Sequence, residues 1–200
     1  MSYVEYSIYA LLWLSFGVVH SALASTPVKR ILHPLFGRSY RLSYNLFSAL
    51  HIGLILIAGR VWLGDTSASL NLASQLDTII VVCRWAGVGI ILAALTQYDL
   101  GRFGGLTQLR RGSESSGDEE SLHITGLHRY VRHPLYLGAY LFLWGGAVDE
   151  LGLQTALWGS LYLFIGTWFE ERKLISLYGR HYVEYREKVP AILPIRGRAI

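Results

Sequence analysis

Long apolar stretches alternate with short polar connections along this chain. Five of them, at residues 6–26, 42–63, 78–98, 134–148 and 151–169, are almost free of Asp, Glu, Lys and Arg. A helix needs about 20 apolar residues at 1.5 Å each to cross a bilayer, so the first, second, third and fifth are long enough. The fourth, even counted from residue 133, would reach only about 24 Å. Asp149 and Glu150 separate it from the fifth with almost no loop, so these two are expected to form a tight helical hairpin. The pattern predicts an all-α, polytopic membrane helical bundle of five transmembrane helices, organised as one domain over 1–200. A C-terminal amphipathic helix is expected after the last span.

Composition narrows the class. The 200 residues are 52% hydrophobic and 16% charged, with a mean hydropathy of +0.34, whereas soluble domains carry about 25% charged residues. A free-standing soluble globule is therefore excluded. The single cysteine, Cys83, cannot support an internal disulfide framework or a Cys-based zinc site, and no metal is expected. The first ten residues hold no Lys or Arg, unlike the basic start of a cleaved signal peptide, so the first apolar segment is expected to stay.

The formal charge of +4 acquires meaning when it is placed on this topology. Sixteen of the 18 basic residues fall in the connections and tail on one side of the five segments, the exceptions being Arg60 and Arg84. Basic residues mark the cytoplasmic side, which predicts an inner-membrane protein with its N-terminus outside and its C-terminus in the cytoplasm. The basic excess is then a topology signal. Neither a nucleic acid nor an obligate protein partner is indicated. The polar material that can build a site lies on the same side, at 100–136 and 170–194. It includes the mixed-charge insert Arg-Arg-Gly-Ser-Glu-Ser-Ser-Gly-Asp-Glu-Glu-Ser at 110–121.

Two clusters there carry candidate chemistry. Residues 126–138 gather His128, Arg129, Tyr130, Arg132, His133, Pro134 and Tyr136 at the mouth of the fourth segment. Pro134 suits a first helical turn, and the unpaired N–H groups beside it favour an anionic ligand group. The same composition also describes an interfacial anchor of Arg and Tyr at headgroup level. The second cluster is Glu170-Glu171, with Leu174, Tyr178, Tyr182 and Tyr185 on one helical stripe and Arg186 among the basic residues placed largely elsewhere. Two carboxylates at a membrane boundary need a cation, either Arg132 or the ammonium of a ligand. Within the spans, His20 and His51 suit interhelical hydrogen bonds, with haem ligation as the alternative, and Arg84 is expected to snorkel outward or pair with Asp77.

Over residues 97–194 the chain resembles the integral-membrane methyltransferases of the isoprenylcysteine carboxyl methyltransferase and phospholipid methyltransferase group. The likeness lies in Gly126 with Arg132-His133-Pro134-x-Tyr136-x-Gly138, then Glu170-Glu171, Leu174, Gly179, Tyr182, Tyr185, Val189-Pro190 and Pro194. His20-Ser21 and the stretch Gln97 to Gln108 are most similar to the bacterial branch that contains methanethiol S-methyltransferase. The resemblance implies S-adenosyl-L-methionine as cofactor, bound by a strand-like lip at Leu122, His123 and Gly126, by His128, Tyr130, Arg132, His133, Pro134, Leu135 and Tyr136, and by Glu170, which would take the methionine ammonium. Glu171 and His128 are the candidate catalytic bases. The family usually has Tyr where this chain has His128. Gly166-Thr167-Trp168-Phe169 stands where the isoprenylcysteine branch places an Arg that meets the substrate carboxylate. The resemblance therefore implies methyl transfer to a small or lipophilic acceptor drawn from the membrane lipid phase, foremost a thiol. Carboxyl methylation of an isoprenylcysteine-like substrate and phospholipid N-methylation are the alternatives within the group. A NADPH-dependent membrane reductase and a haem-binding membrane protein are the alternatives outside it.

Overall fold

A computed structural model of the chain describes residues 1–111, 122 and 124–195. His123, most of the 110–121 insert, Arg196 and Arg198 lie outside the described residues. Every regular element among those described is helical: α1 (Tyr3–Ala24), α2 (Thr26–Phe36), α3 (Tyr40–Leu63), α4 (Ser74–Leu95), α5 (Leu100–Gly104), α6 (Leu106–Arg111), α7 (Pro134–Trp144), α8 (Glu150–Tyr178) and α9 (Arg180–Lys188). Tyr3–Ala24, the run Thr26–Leu63 and Ser74–Leu95 are long and apolar enough to cross a membrane. The chain divides into two units, Met1–Ala68 with Tyr98–Glu119, and Ser69–Gln97 with Glu120–Ile200.

In the first unit a reciprocal cap starts α1. The Glu5 N–H donates to Ser2 Oγ at 3.3 Å, and the Ser2 N–H donates to Glu5 Oε2 at 2.6 Å, which satisfies donors that a helix start leaves open. Tyr9, Trp13, Phe16 and His20 then form an aromatic ladder at helical spacing. Gly59 of α3 lets the ladder close, because a Cβ there would lie 2.6 Å from the Tyr9 ring. Both intramembrane histidines make the interhelical bonds expected of them. His20 pairs with Ser48 Oγ at 3.0 Å and with the Tyr44 hydroxyl at 2.6 Å, and His51 pairs with Ser15 Oγ at 3.3 Å.

In the second unit α4 and α7 cross at two glycines. A Cβ on Gly87 would lie 2.6 Å from the Gly138 carbonyl oxygen, and one on Gly138 would lie 2.8 Å from Ile91 Cγ1. Small residues at such a crossing let two backbones approach. Gly138→Val is accordingly expected to cost about 1–3 kcal/mol through overpacking, read as a lower unfolding temperature in detergent. Gly89→Ala on α4, where a Cβ would meet nothing, should leave that temperature unchanged.

Two helix ends differ from the ends of the apolar segments. The fourth apolar segment forms a helix only over Pro134–Trp144, about 16 Å long, because Gly145-Gly146 follows and Gly145 packs directly on the Arg84 backbone. The Arg84 guanidinium lies 5.0 Å above the Phe142 ring, a stacking partner that residue spacing did not indicate. The fifth segment does not end at Phe169 but continues in α8 to Tyr178, so Glu170 and Glu171 are both helical. The Asp149 side chain caps α8 by accepting from the Gly152 N–H at 2.6 Å.

Candidate active site

The site is built where the start of α7 meets the end of α8 and the C-terminal tail. Gly126 opens it in a left-handed conformation, φ +56°, and its missing side chain makes room for Gln97, since a Cβ would lie 2.7 Å from Gln97 Cδ. A short 3-10 turn over Gly126–Arg129 follows. Of the residues of the expected strand-like lip, Gly126 begins this turn, Leu122 lies outside regular structure and His123 is outside the described residues. Within the turn, His128 Nδ1 sits 3.2 Å from Gln97 Oε1, and the His128 carbonyl accepts from the Tyr185 hydroxyl.

The N–H groups of the two residues that precede α7 are spent on the tail. Arg132 N–H donates to the Pro190 carbonyl at 2.9 Å, and His133 N–H donates to that of Ala191 at 3.0 Å. These two N–H groups therefore meet main-chain oxygens of the same chain. The Arg132 side chain reinforces the clamp. Its Nε donates to Glu171 Oε1 at 2.7 Å, and its terminal nitrogen donates to the carbonyls of Val189 and of Arg186, the latter at 3.2 Å.

One helical step of about 100° gives the two adjacent glutamates different fates. Glu171 faces inward and is buried. Besides Arg132, His133 Nε2 lies 3.0 Å and the Tyr182 hydroxyl 3.1 Å from its Oε1, and Arg186 Nε lies 3.0 Å from its Oε2. Glu170 stays half-exposed, with its Oε2 3.6 Å from His133 Nδ1. Tyr136 stacks on the His133 ring at 5.4 Å. Arg186 joins the cluster because the chain turns at Gly179, φ +56°, between α8 and α9, and a continuous helical stripe misses that turn. The Gln97–His128 pair is the other partnership with no signal in residue spacing. Tyr182, Tyr185 and Val189 form a buried apolar core under the cluster, against which Leu122, Leu174 and Tyr178 pack, so that much of the expected stripe survives the turn.

Electrostatics follow from this wiring. Burial alone would raise the pKa of Glu171, but the hydrogen bonds from His133 and Arg132 and the charge of Arg132 overturn that and hold it at about 2. Burial, and then the neighbouring Glu171 charge, push the Tyr182 phenol up. A carboxylate whose pKa is depressed on folding stabilises the fold above its unfolded value, near 4.5, and loses that contribution as pH falls toward 2. The loss is about 3 kcal/mol. Unfolding in detergent should therefore be insensitive to this group above pH 5 and show a decline between pH 4.5 and 2. The decline should be shallower in Glu171→Gln, and equal acid slopes in the two proteins would reject the assignment.

An apolar cavity of about 230 Å³ adjoins the cluster, lined by Ile90, Leu127, Tyr130, Val131, Pro134, Leu137 and Pro194. Of the residues expected to bind the cofactor, Tyr130 and Pro134 thus face a cavity, Glu170 and Tyr136 flank His133, and His128 and Gly126 border Gln97. Leu135 is half-buried on α7, Leu122 packs on the aromatic core, and Arg132 and His133 are locked by Glu171.

A helical membrane protein with its charged residues wired around the start of one short helix is the class that fold and site define. Comparison with known proteins makes this particular. Methanethiol S-methyltransferase 2 of Bradyrhizobium diazoefficiens is 30% identical over 189 residues, covering 92% of this chain and 71% of that protein. A methanethiol S-methyltransferase of Pseudomonas deceptionensis is 28% identical over 193 residues, with the same coverage. A protein-S-isoprenylcysteine O-methyltransferase of Schizosaccharomyces pombe is 35% identical over 88 residues, 40% of this chain and 36% of its own. No family model and no solved structure matches. The chain belongs to the methanethiol S-methyltransferase family, within the group that also holds the isoprenylcysteine methyltransferases, and it is a methyltransferase.

Proposed function

We propose that this enzyme methylates the sulfur of a small or lipophilic thiol, with S-adenosylmethionine as donor, at the cytoplasmic face of the inner membrane. The observation that carries the reading is the likeness over 92% of the chain to proteins named for methanethiol S-methylation. Five passes with the N-terminus outside fit the distribution of basic residues, α7 being the shortest of them.

The residues present suit the donor. A half-exposed carboxylate on Glu170 can receive an ammonium group, whereas Glu171 is fully engaged. When bound, S-adenosylmethionine supplies a methyl group activated by its sulfonium. The protein's part is to align the acceptor with that methyl group and to exclude water. A thiol reacts as its thiolate, and since even a cysteine thiol has an ordinary pKa near 8.5, a base is needed. With a pKa of about 2 and four neighbouring donors, Glu171 is a poor proton acceptor, and we assign it to positioning. The base is His128. A hydrogen bond from Nδ1–H to Gln97 Oε1 selects the tautomer whose Nε2 takes the proton.

The cavity supports an apolar acceptor. A dry cavity of about 150 Å³ holds a benzene ring, so about 230 Å³ accommodates a substituent larger than methyl. Purified enzyme in nanodiscs with labelled S-adenosylmethionine should therefore label methanethiol and C4–C8 alkanethiols, the longer thiols with lower KM. Label entering a prenylcysteine or phosphatidylethanolamine but no thiol would overturn the proposal.

A further inference from the structure

We propose that α2 lies in the membrane interface and binds anionic phospholipid headgroups through Lys29 and Arg30. At 100° per residue, Val28, Ile31, Leu32 and Leu35 fall on one side of this 11-residue helix and Lys29, Arg30 and His33 on the other. No residue of α2 is buried, and Ile31 and Leu35 are 72% and 80% exposed. The helix is too short to cross a bilayer, yet both its ends are fixed beside spans. α1 stops at Ala24, α3 starts at Tyr40, and the Tyr40 hydroxyl donates to the Leu23 carbonyl at 2.6 Å. An apolar face held where two spans emerge meets the acyl boundary, and the opposite face meets headgroups.

Charge selects the lipid. Lys29, Arg30, Arg38 and Arg41 occur in a stretch with no Asp or Glu between Glu5 and Asp65. Arg41 is spent on the Phe103 carbonyl at 3.3 Å, while Lys29, Arg30 and Arg38 are exposed. A basic row without carboxylates, above an apolar face, is complementary to an anionic leaflet. This interaction is separate from methyl transfer and does not depend on the acceptor.

Native mass spectrometry of the full chain released from nanodiscs of mixed phosphatidylglycerol and phosphatidylcholine tests it. The wild-type protein should retain phosphatidylglycerol preferentially, and Lys29→Gln with Arg30→Gln should reduce that preference roughly ten-fold. The charge-matched pair Lys173→Gln with Lys188→Gln should change it less than two-fold. An equal loss in both pairs, or no loss in the first, would overturn the proposal. An environment-sensitive fluorophore at Leu35→Cys, in a Cys83→Ser background, gives a second readout. Its emission should shift to the blue in phosphatidylglycerol-rich nanodiscs, and a water-like spectrum in every lipid would also overturn the proposal.

Discussion

Arg132→Met is expected to lower stability by about 3 kcal/mol, the lower end of what breaking a buried ion pair costs, because Arg186 still meets the other oxygen of Glu171. For a chain of this length that amounts to roughly 6–12 °C in the unfolding temperature. Two losses combine. Glu171 keeps its charge in a buried position without its nearest guanidinium, and the carbonyls of Val189 and Arg186 lose a donor. Arg132→Lys should rescue little, since a single ammonium cannot reproduce a planar fork that serves a carboxylate and two carbonyls together. Replacing Arg132 and Glu171 together by Met should recover much of the loss, because no uncompensated charge is then left buried. Unfolding of the single variant within a degree of wild type would remove the clamp from the account.

Glu170→Ala is expected to act in the opposite register. Its carboxylate is half-exposed and, among the described residues, meets His133 at 3.6 Å, so stability should change by no more than about 0.5 kcal/mol. Binding of S-adenosylmethionine should nevertheless weaken roughly 10- to 100-fold, the value of a hydrogen bond to a charged group. Calorimetric titration beside a thermal melt separates the effects. Unchanged binding would exclude Glu170 as the ammonium partner. Glu171→Gln should instead move the melt first, so these adjacent carboxylates are distinguished by which measurement each one moves.

Much of this site was legible before any coordinates. The sequence pattern placed Arg132-His133-Pro134 at the mouth of a short helix and Glu170-Glu171 at the end of a long one, and it named Arg132 as a possible cation for the pair. The expectation that His20 and His51 bridge helices was also readable, because an imidazole within an apolar span needs a partner. Spacing gave no means of choosing between the two glutamates. Glu171 and His128 stood together as candidate bases, and only the wiring of Arg132, His133, Tyr182 and Arg186 around Glu171 speaks against it. The helix of the fourth apolar segment is shorter than the segment itself for a related reason. Hydropathy counts apolar residues but does not register that Gly145 is pressed against the Arg84 backbone, where α7 stops.

By itself, the sequence determined the membrane class, the location of the apolar spans and the family, because each depends on residue type and order along the chain. Tertiary structure alone decided which N–H groups just before α7 are spent on the tail, and that Arg186 returns to Glu171 around Gly179. It also decided that one carboxylate of an adjacent pair is locked while the other stays open. These outcomes depend on groups up to 58 residues apart in the chain meeting within about 3 Å, and a hydrogen bond is made or lost over less than an ångström.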